Sequence, residues 1–535
     1  MRPILLTGAA AVLLGLSMPG GAVRAAETAG DASGAGDALT QRAVLERLLR
    51  DNPRAQASRL EADIAGTQVD FEEGAYQASF FSRLQRSDEE RPNSAEDEAT
   101  EVFDSGITTF KEQRTELEFG VRAPLRTGGE FSLAFSGVER DNTYTEEIQP
   151  GASEYVGGVD VSLRQPLWRN LMSRERELLI DQAEAGEARS REQSRQQLLE
   201  VAFQGLRQYW LVHRRQQFHA IDATALETAR DTVAVTQQLV DGGIQPALAA
   251  MEVEARVIER EAELRRSASA MAEARAELAI LLNREGEGEA IERFEAIDTP
   301  ETRLIERPAS LKLYATQVLG QWPQFRAARL TREAETHQLD LARESGKPTL
   351  DMVLGYSTSA LDRSSSEALG DSFDSRHPSW YFGFELDVKI GANQQSDAQA
   401  NAAVMRMTQA DVDMQATRVS VLNRLRTRLE QAESAHEQMQ LMTRRETLQE
   451  AIYREQEGRF QAGQIAANAL HDAMDDLIDV QRKAVDARVA YQLALIALRL
   501  VEGSLFAEYG LDALADGLAT PANPPRLELI DATDL

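Results

Sequence analysis

Along most of this chain apolar residues recur at steps of three and four. Leu198, Val201, Gly205, Tyr209 and Val212 form one such seam, inside a stretch from about Met172 to Val240 that hardly breaks, which is the spacing of a helix burying one face. At 1.5 Å per residue the stretch predicts a rod on the order of 100 Å long. Asp241-Gly242-Gly243 ends it, and a second helix is expected from about Pro246 to Leu282. Val412, Val419, Leu422, Leu425, Leu429 and Ala432 repeat the pattern later with coiled-coil-like steps. An earlier helical stretch, about Gln41 to Tyr76, is interrupted at Asn52-Pro53, because the residue before a proline is pushed out of the helical region. No compact domain buries such rods, so they must pack lengthwise against other rods.

Between Phe80 and Leu167 the period falls to two. Leu117, Phe119 and Val121 alternate with Glu118, Gly120 and Arg122; Phe131, Leu133 and Phe135 with Ser132, Ala134 and Ser136; Val159, Val161 and Leu163 with Asp160, Ser162 and Arg164. These read as strands with one apolar and one polar face. The clearest strand lies later, Trp380 to Ile390, with Trp380, Phe382, Phe384, Leu386, Val388 and Ile390 on one face and Tyr381, Gly383, Glu385, Asp387 and Lys389 on the other. Its length and alternation suit a transmembrane β-strand; a strand of a soluble sandwich with a solvated outer face is the alternative.

The chain also matches itself. Pro53 and Pro323 each sit early in a helix, and at the same offset of 270 Phe80 corresponds to Leu350, where helix gives way to strand. Further on the offset is 220: Gly243 corresponds to Gly463, Glu252 to Asp472, Leu278 to Leu498, and Asn283 takes the place of Gly503. The two offsets differ by 50, so the first copy carries about fifty extra residues, and they lie in its strand region. The second copy has two good strands, Thr349 to Ser357 and Trp380 to Ile390, joined by a polar loop from Leu361 to Ser379; the first adds a hairpin, roughly Glu116 to Glu139, turning at Thr127-Gly128-Gly129.

Helix, strands, long helix, glycine turn and returning helix, all of it twice: this order resembles the TolC-type outer-membrane efflux channel family. Asp51-Asn52-Pro53 and Gln321-Trp322-Pro323 resemble its early helix break, Lys347-Pro348-Thr349-Leu350 its lead into the first strand, and Gln165-Pro166-Leu167 its strand-to-helix passage. Arg459-Phe460-Gln461-Ala462-Gly463 resembles its helix tip, and Leu498 to Gly503 its closing motif. The resemblance covers nearly all the chain after Thr40. Lys389 and Ile390 depart from it where the second copy should read Pro-Leu, and so does Asn283. The family ordinarily has two strands per copy, so the extra hairpin either widens the barrel or folds over its mouth.

The resemblance implies a homotrimer: an α+β membrane protein whose protomers share one transmembrane β-barrel, continued into a long periplasmic α-helical barrel. Its expected partners are outer-membrane lipid, a periplasmic adaptor and an inner-membrane transporter of RND or ABC type, with no nucleic acid, no cofactor and no metal. A passive export channel of a tripartite efflux or type I secretion system follows. A structural or adaptor coiled-coil protein of the periplasm is the alternative, and it would lack strands with a lipid-suited face. The expected organisation is a signal peptide over 1–25, a lead-in over 26–40, a first repeat over 41–312, a second over 313–503, and a C-terminal belt segment and tail over 504–535. Within the first repeat, Arg284 to Ser310 would join the tail in a belt around the helices.

Composition agrees. Of 535 residues, 58 are Lys or Arg and 87 Asp or Glu, a formal charge of −29, which disfavours binding to nucleic-acid phosphates. There is no cysteine, which removes disulfides, thiolate metal sites and cysteine nucleophiles together. Arg2 followed by the apolar run Ile4 to Met18 and small residues around Val23-Arg24-Ala25 reads as a signal for export, an uncleaved anchor being the alternative. The six histidines show no H-E-x-x-H spacing, and no phosphate-cradling G-x-x-x-x-G-K-[ST] loop occurs; His213 and His219 sit on poorly matching helix faces. No enzyme is expected.

Three groups of residues are singled out. Trp380, Phe382, Phe384, Leu386 and Val388 would face lipid, with Tyr144, Tyr155, Trp168, Trp380 and Tyr381 as an interfacial girdle. Gly242, Gly243, Arg459, Phe460 and Gly463 would form two helix tips that the resemblance assigns to adaptor docking. Asp472, Asp475 and Asp476 share a helix face, with Glu252 and Glu254 at the corresponding place in the first repeat. Under threefold symmetry they would form carboxylate rings that favour cations at the periplasmic end; a solvated outer face is the plainer reading.

Overall fold

The structure, a computed structural model, describes residues 38–92, 109–148, 153–284, 294–305, 308–373, 377–391 and 393–515. The export signal and the distal tail therefore lie outside the described residues. In order, β1 (Ala38–Leu39), α1 (Gln41–Asp51) and α2 (Pro53–Gly74) precede four strands: β2 (Ser79–Pro92), β3 (Thr109–Pro124), β4 (Glu130–Asn142) and β5 (Glu154–Pro166), with a short α3 (Thr143–Ile148) between the last two. Then come α4 (Arg174–Asp241), α5 (Ala247–Leu281) and β6 (Glu295–Ala296). The second half runs α6 (Leu311–Gln321), α7 (Pro323–Ser345), β7 (Thr349–Asp362), α8 (Ser365–Asp371), β8 (Pro378–Asp387), α9 (Gln394–Gln461) and α10 (Ala467–Glu502), closed by α11 (Leu505–Tyr509) and α12 (Asp512–Ala515).

Local chemistry sets these boundaries. Thr40 opens α1 by accepting the Ala43 N–H at 3.2 Å. Asn52 ends α1 and opens α2: its side-chain oxygen accepts from the Arg54 and Ala55 N–H groups, its amide donates to the Leu281 carbonyl at 2.7 Å, and Pro53 takes the first helical position, where a missing N–H costs nothing. Gly243 and Gly463 turn the two long hairpins at φ +70° and +68°. Asn283 closes α5 at φ +51° where Gly503 closes α10 at +71°, so the asparagine fills the glycine's place because Asn tolerates the left-handed region.

Six strands form one antiparallel sheet in the order β2-β3-β4-β5-β7-β8. The extra hairpin is therefore part of the sheet, and its strands run well beyond the expected Glu116–Glu139. Two other boundaries differ. β8 ends at Asp387, leaving Val388 and Ile390 outside it, and the loop expected over Leu361 to Ser379 contains the end of β7 and the helix α8. The lead-in also ends in fixed structure: Ala38 and Leu39 pair in parallel with Glu295 and Ala296.

Both long helices have 68 residues and their returns 35 and 36. Near the sheet the helices lie side by side as α2-α4-α7-α9, and towards the tips as α5-α4-α10-α9. At mid-length α1, α4, α10, α11 and α12 enclose a core of Leu48, Leu199, Leu206, Trp210, Phe294 and Phe506. Tyr209 ties it to the belt by donating to Asp298 at 2.8 Å, and Asp298 also accepts the Gln41 N–H. Among the described residues no helix is long and apolar enough to cross a membrane.

Candidate channel wall and helix tips

Register gives the sheet two unlike faces. Residues directly opposite share a face, and on one of them Phe80, Val121, Leu133, Val161, Tyr356 and Trp380 lie in one row across all six strands. Ser82, Phe119, Phe135 and Val159 form a row above them, and Phe131, Leu163, Leu354 and Phe382 one below. Phe119 stacks on Phe135 at 5.3 Å between centroids. Trp380, Phe382, Phe384 and Leu386 all lie on this face and are exposed in the isolated protomer; Val388 is exposed just past the strand end.

The other face is a lattice of opposite charges. Arg164 bridges Asp351 at 3.1 Å and Glu385 at 2.7 Å, Arg122 faces Glu130 at 3.3 Å, and Arg83 faces Glu118 at 3.6 Å. Tyr381 belongs to this polar face, its ring lying where a Cβ on Gly355 would be, so Tyr381 and Trp380 point to opposite faces and do not share one girdle. Trp168, Leu171 and Met172 expose apolar surface at the helical end of the sheet. Tyr155 donates to Glu139 at 2.8 Å near the other end.

At the far end the two tips touch. A Cβ on Gly463 would come within 3.2 Å of Ile244, whereas one on Gly243 meets nothing, and Gly242 keeps an ordinary helical φ of −74°. Phe460 is 1% exposed, in a cluster with Val253, Tyr453, Ala467, Leu470 and Leu477. It anchors the tip from within and offers no surface of its own. Arg459 is exposed and pairs with Glu455 along its own helix.

The carboxylates divide. Asp475 forms an ion pair with Arg260 of α5, so it ties the two helical hairpins together rather than standing free; Arg260 also holds Glu263 at 2.6 Å. Asp472 and Asp476 are exposed on α10, Glu254 is exposed on α5 and Glu252 half-buried. Between them lies His471, 8% exposed. Burial lowers its pKa below the ordinary imidazole value, and Arg256 and Arg260 add to the shift while Asp472 and Glu252 oppose it. Burial also pushes the Tyr453 phenol up to about 12. Arg260 and His471 were not legible as site residues in the sequence, because their partners are some two hundred positions away.

No cluster of three or more metal-ligating side chains occurs among the described residues. Residues 315–504 match the family of outer membrane efflux proteins. In fold the chain is similar to the outer membrane protein VceC of Vibrio cholerae (TM-score 0.58, 16% identity, 86% of this chain and 96% of that one). It is also similar to the CmeC outer membrane channel of Campylobacter jejuni (0.61, 12%, 89% and 89%) and to the open state of the Neisseria gonorrhoeae MtrE outer membrane channel (0.58, 16%, 86% and 88%). No curated protein matches by sequence. The resemblance to TolC-type channels carried by the motifs thus appears again in the family match of the second half and in the fold of both halves.

Proposed function

We propose that this protein is the passive outer-membrane channel of a tripartite efflux or type I secretion system, working as a homotrimer. The observation that carries the reading is a pair of matching open edges. Among the described residues the sheet ends at β2 on one side and β8 on the other, and the helical rows end at α2 and α5 on the first side and α9 on the second. Both edges of the first side come from the first repeat and both of the second side from the second repeat. Unpaired strand edges are not tolerated in lipid, and the β2 edge of one copy runs antiparallel to the β8 edge of the next. Apolar stripes lie along the helical edges too: Leu60, Ile64 and Phe71 on α2, Leu248, Met251 and Ile258 on α5, Met405, Val412 and Val419 on α9. One rotation therefore closes a β-barrel in the outer membrane and an α-barrel in the periplasm.

In this reading the apolar sheet face meets lipid, the charge lattice lines the water-filled lumen, and no residue has a catalytic role. The repeats divide as 41–312 and 313–503. The paired tips, with Arg459 exposed, meet a periplasmic adaptor that leads to an RND- or ABC-type pump. Asp472, Asp476, Glu252 and Glu254 form carboxylate rings at the periplasmic mouth, with Asp475 engaged by Arg260. Planar-bilayer recording on the purified trimer tests this. The expected result is a cation-selective channel whose selectivity falls in Asp472→Asn with Asp476→Asn. A soluble monomer without channel activity overturns the reading, and unchanged selectivity puts the carboxylates outside the pore.

A further inference from the structure

Resting on the trimeric channel reading, we infer that the β3–β4 hairpin is a pore-widening insertion that takes the shared barrel to eighteen strands. The excess in the first half is a single block. Residues 93–142 hold the connection after β2, then β3, its turn and β4, and they number fifty, the difference between the two internal offsets. Without them β2 would lead through α3 to β5, and each half would contribute two strands.

Three observations place this block in the barrel wall. β3 and β4 lie between β2 and β5, paired with them along nearly their whole length. The hairpin also continues both faces: Leu117, Phe119, Val121, Phe131, Leu133 and Phe135 lie in the apolar band, while Glu118, Arg122 and Glu130 lie in the charge lattice. A hairpin folded over the mouth would have no need of a lipid-suited face. Its turn is also built into the frame. Met172 donates its N–H to the Thr127 carbonyl at 3.0 Å, the Ser173 hydroxyl donates to the Leu125 carbonyl at 3.2 Å, and the Gln165 amide donates to Thr127 at 2.8 Å. To meet the turn, Asn170, Met172 and Ser173 all adopt left-handed backbone at φ 54–60°, a conformation that costs non-glycine residues and persists only where the surroundings impose it.

The circumference argues the same way. With strands about 4.8 Å apart and tilted about 40°, eighteen make a barrel about 36 Å across at the backbone, with a circumference of about 110 Å, and twelve one about 24 Å across. Four helices abreast per protomer give twelve around the trimer, and at 8–10 Å between axes they span about 100–120 Å. Eighteen strands therefore continue the helical duct at nearly constant bore, and twelve would constrict it. The insertion keeps the outer-membrane segment from limiting cargo cross-section.

The absence of native cysteine makes labelling clean. Bimane on Phe119→Cys, Phe131→Cys and Phe384→Cys in vesicles containing brominated phosphatidylcholine should be quenched at all three positions. Quenching at Phe384 alone removes the hairpin from the wall and overturns the inference; no quenching at Phe384 overturns the channel reading itself. Spin labels on Ser162→Cys, on the polar face of β5, should report about 31 Å between symmetry copies, against about 21 Å for twelve strands, and the shorter distance overturns the inference. Excising residues 93–142 should move the distance from the longer value to the shorter one and lower the size of polyethylene glycol that enters from the extracellular side. An unchanged distance in an inserted trimer also overturns it, and if the excised chain does not insert, the quenching and the full-length distance still decide.

Discussion

The two halves of the chain share a helical frame and differ in their strands. The long helices match to the residue at 68 and the returns nearly so, whereas the first half has four strands in the sheet and the second two. Packing explains the contrast. Rods that touch along their whole length must reach their tips together, since a shorter helix would leave its neighbour's seam uncovered. An antiparallel sheet accepts strands in pairs, because a hairpin returns the chain to the side it left. The frame resists change in length, and the wall can grow by two strands at a time without disturbing it.

The largest expected effect tests whether both halves face lipid alike. Phe119→Arg in β3 and Phe384→Arg in β8 each place a charge in the apolar band, at a cost of about 2–4 kcal/mol near the bilayer midplane. Both should reduce heat-resistant trimer in outer-membrane fractions. Glu385→Gln should not, because Arg164 keeps Asp351 and the exposed pair contributes little. Normal insertion of Phe119→Arg beside failure of Phe384→Arg would break the equivalence of the two halves.

Next in size is the turn that only the first half possesses. Gly128 sits at φ +87°, and a Cβ there would lie within 2.2 Å of the Asn170 carbonyl. Gly128→Ala should therefore cost about 1–3 kcal/mol and lower the trimer's melting temperature. Gly383→Ala in β8 should be mild, since its Cβ meets only Val353 at 3.5 Å. Equal melting temperatures would mean that the hairpin turn is not docked on the strand-to-helix elbow.

The tips differ more finely. Gly243→Val and Gly463→Val each force a side chain into the left-handed region, at roughly 1 kcal/mol or more. Gly463→Val should be the worse of the two, because its Cβ also presses on Ile244 at 3.2 Å. Export in cells supplied with the cognate adaptor and pump should fall in that order while trimers still insert. Unchanged export in the double variant would take the tips out of the docking surface.

What could be read ahead of the fold was whatever repeats locally. Period and punctuation marked the helices near their true ends, Asp241 and Leu281 among them, and alternation showed which side of β3, β4, β5 and β8 was apolar. The elbow at Asn170, Met172 and Ser173 was hidden because no glycine marks its positive φ values. The place of the hairpin in the sheet depends on which strands pair, and alternation does not tell pairing. The acidic face of α10 was visible, but the Arg260 that engages one of its members was not, because long-range ion pairs leave no mark in local spacing.

The smallest expected effect concerns that same junction of the halves. His471 of α10 is buried beside Arg256 and Arg260 of α5, with Tyr453 of α9 nearby, and burial and the two guanidinium groups outweigh Asp472 and Glu252 in lowering its pKa. A histidine depressed in the folded state is neutral in both states at neutral pH and contributes no pH dependence there. As pH falls below about 6.5, the unfolded tip takes up a proton that the folded tip resists, so stability is lost from there down through the folded pKa. Hydrogen exchange of amides around 465–478 should therefore quicken a few-fold between pH 7.5 and pH 5.5 relative to amides near the mid-length core. His471→Gln should flatten that difference, because it keeps a polar side chain and removes the titration. Glu252→Gln should steepen it, because it removes one of the two carboxylates that favour the protonated ring. The same pH profile in wild type and His471→Gln would show that another group governs the tip's response to acid.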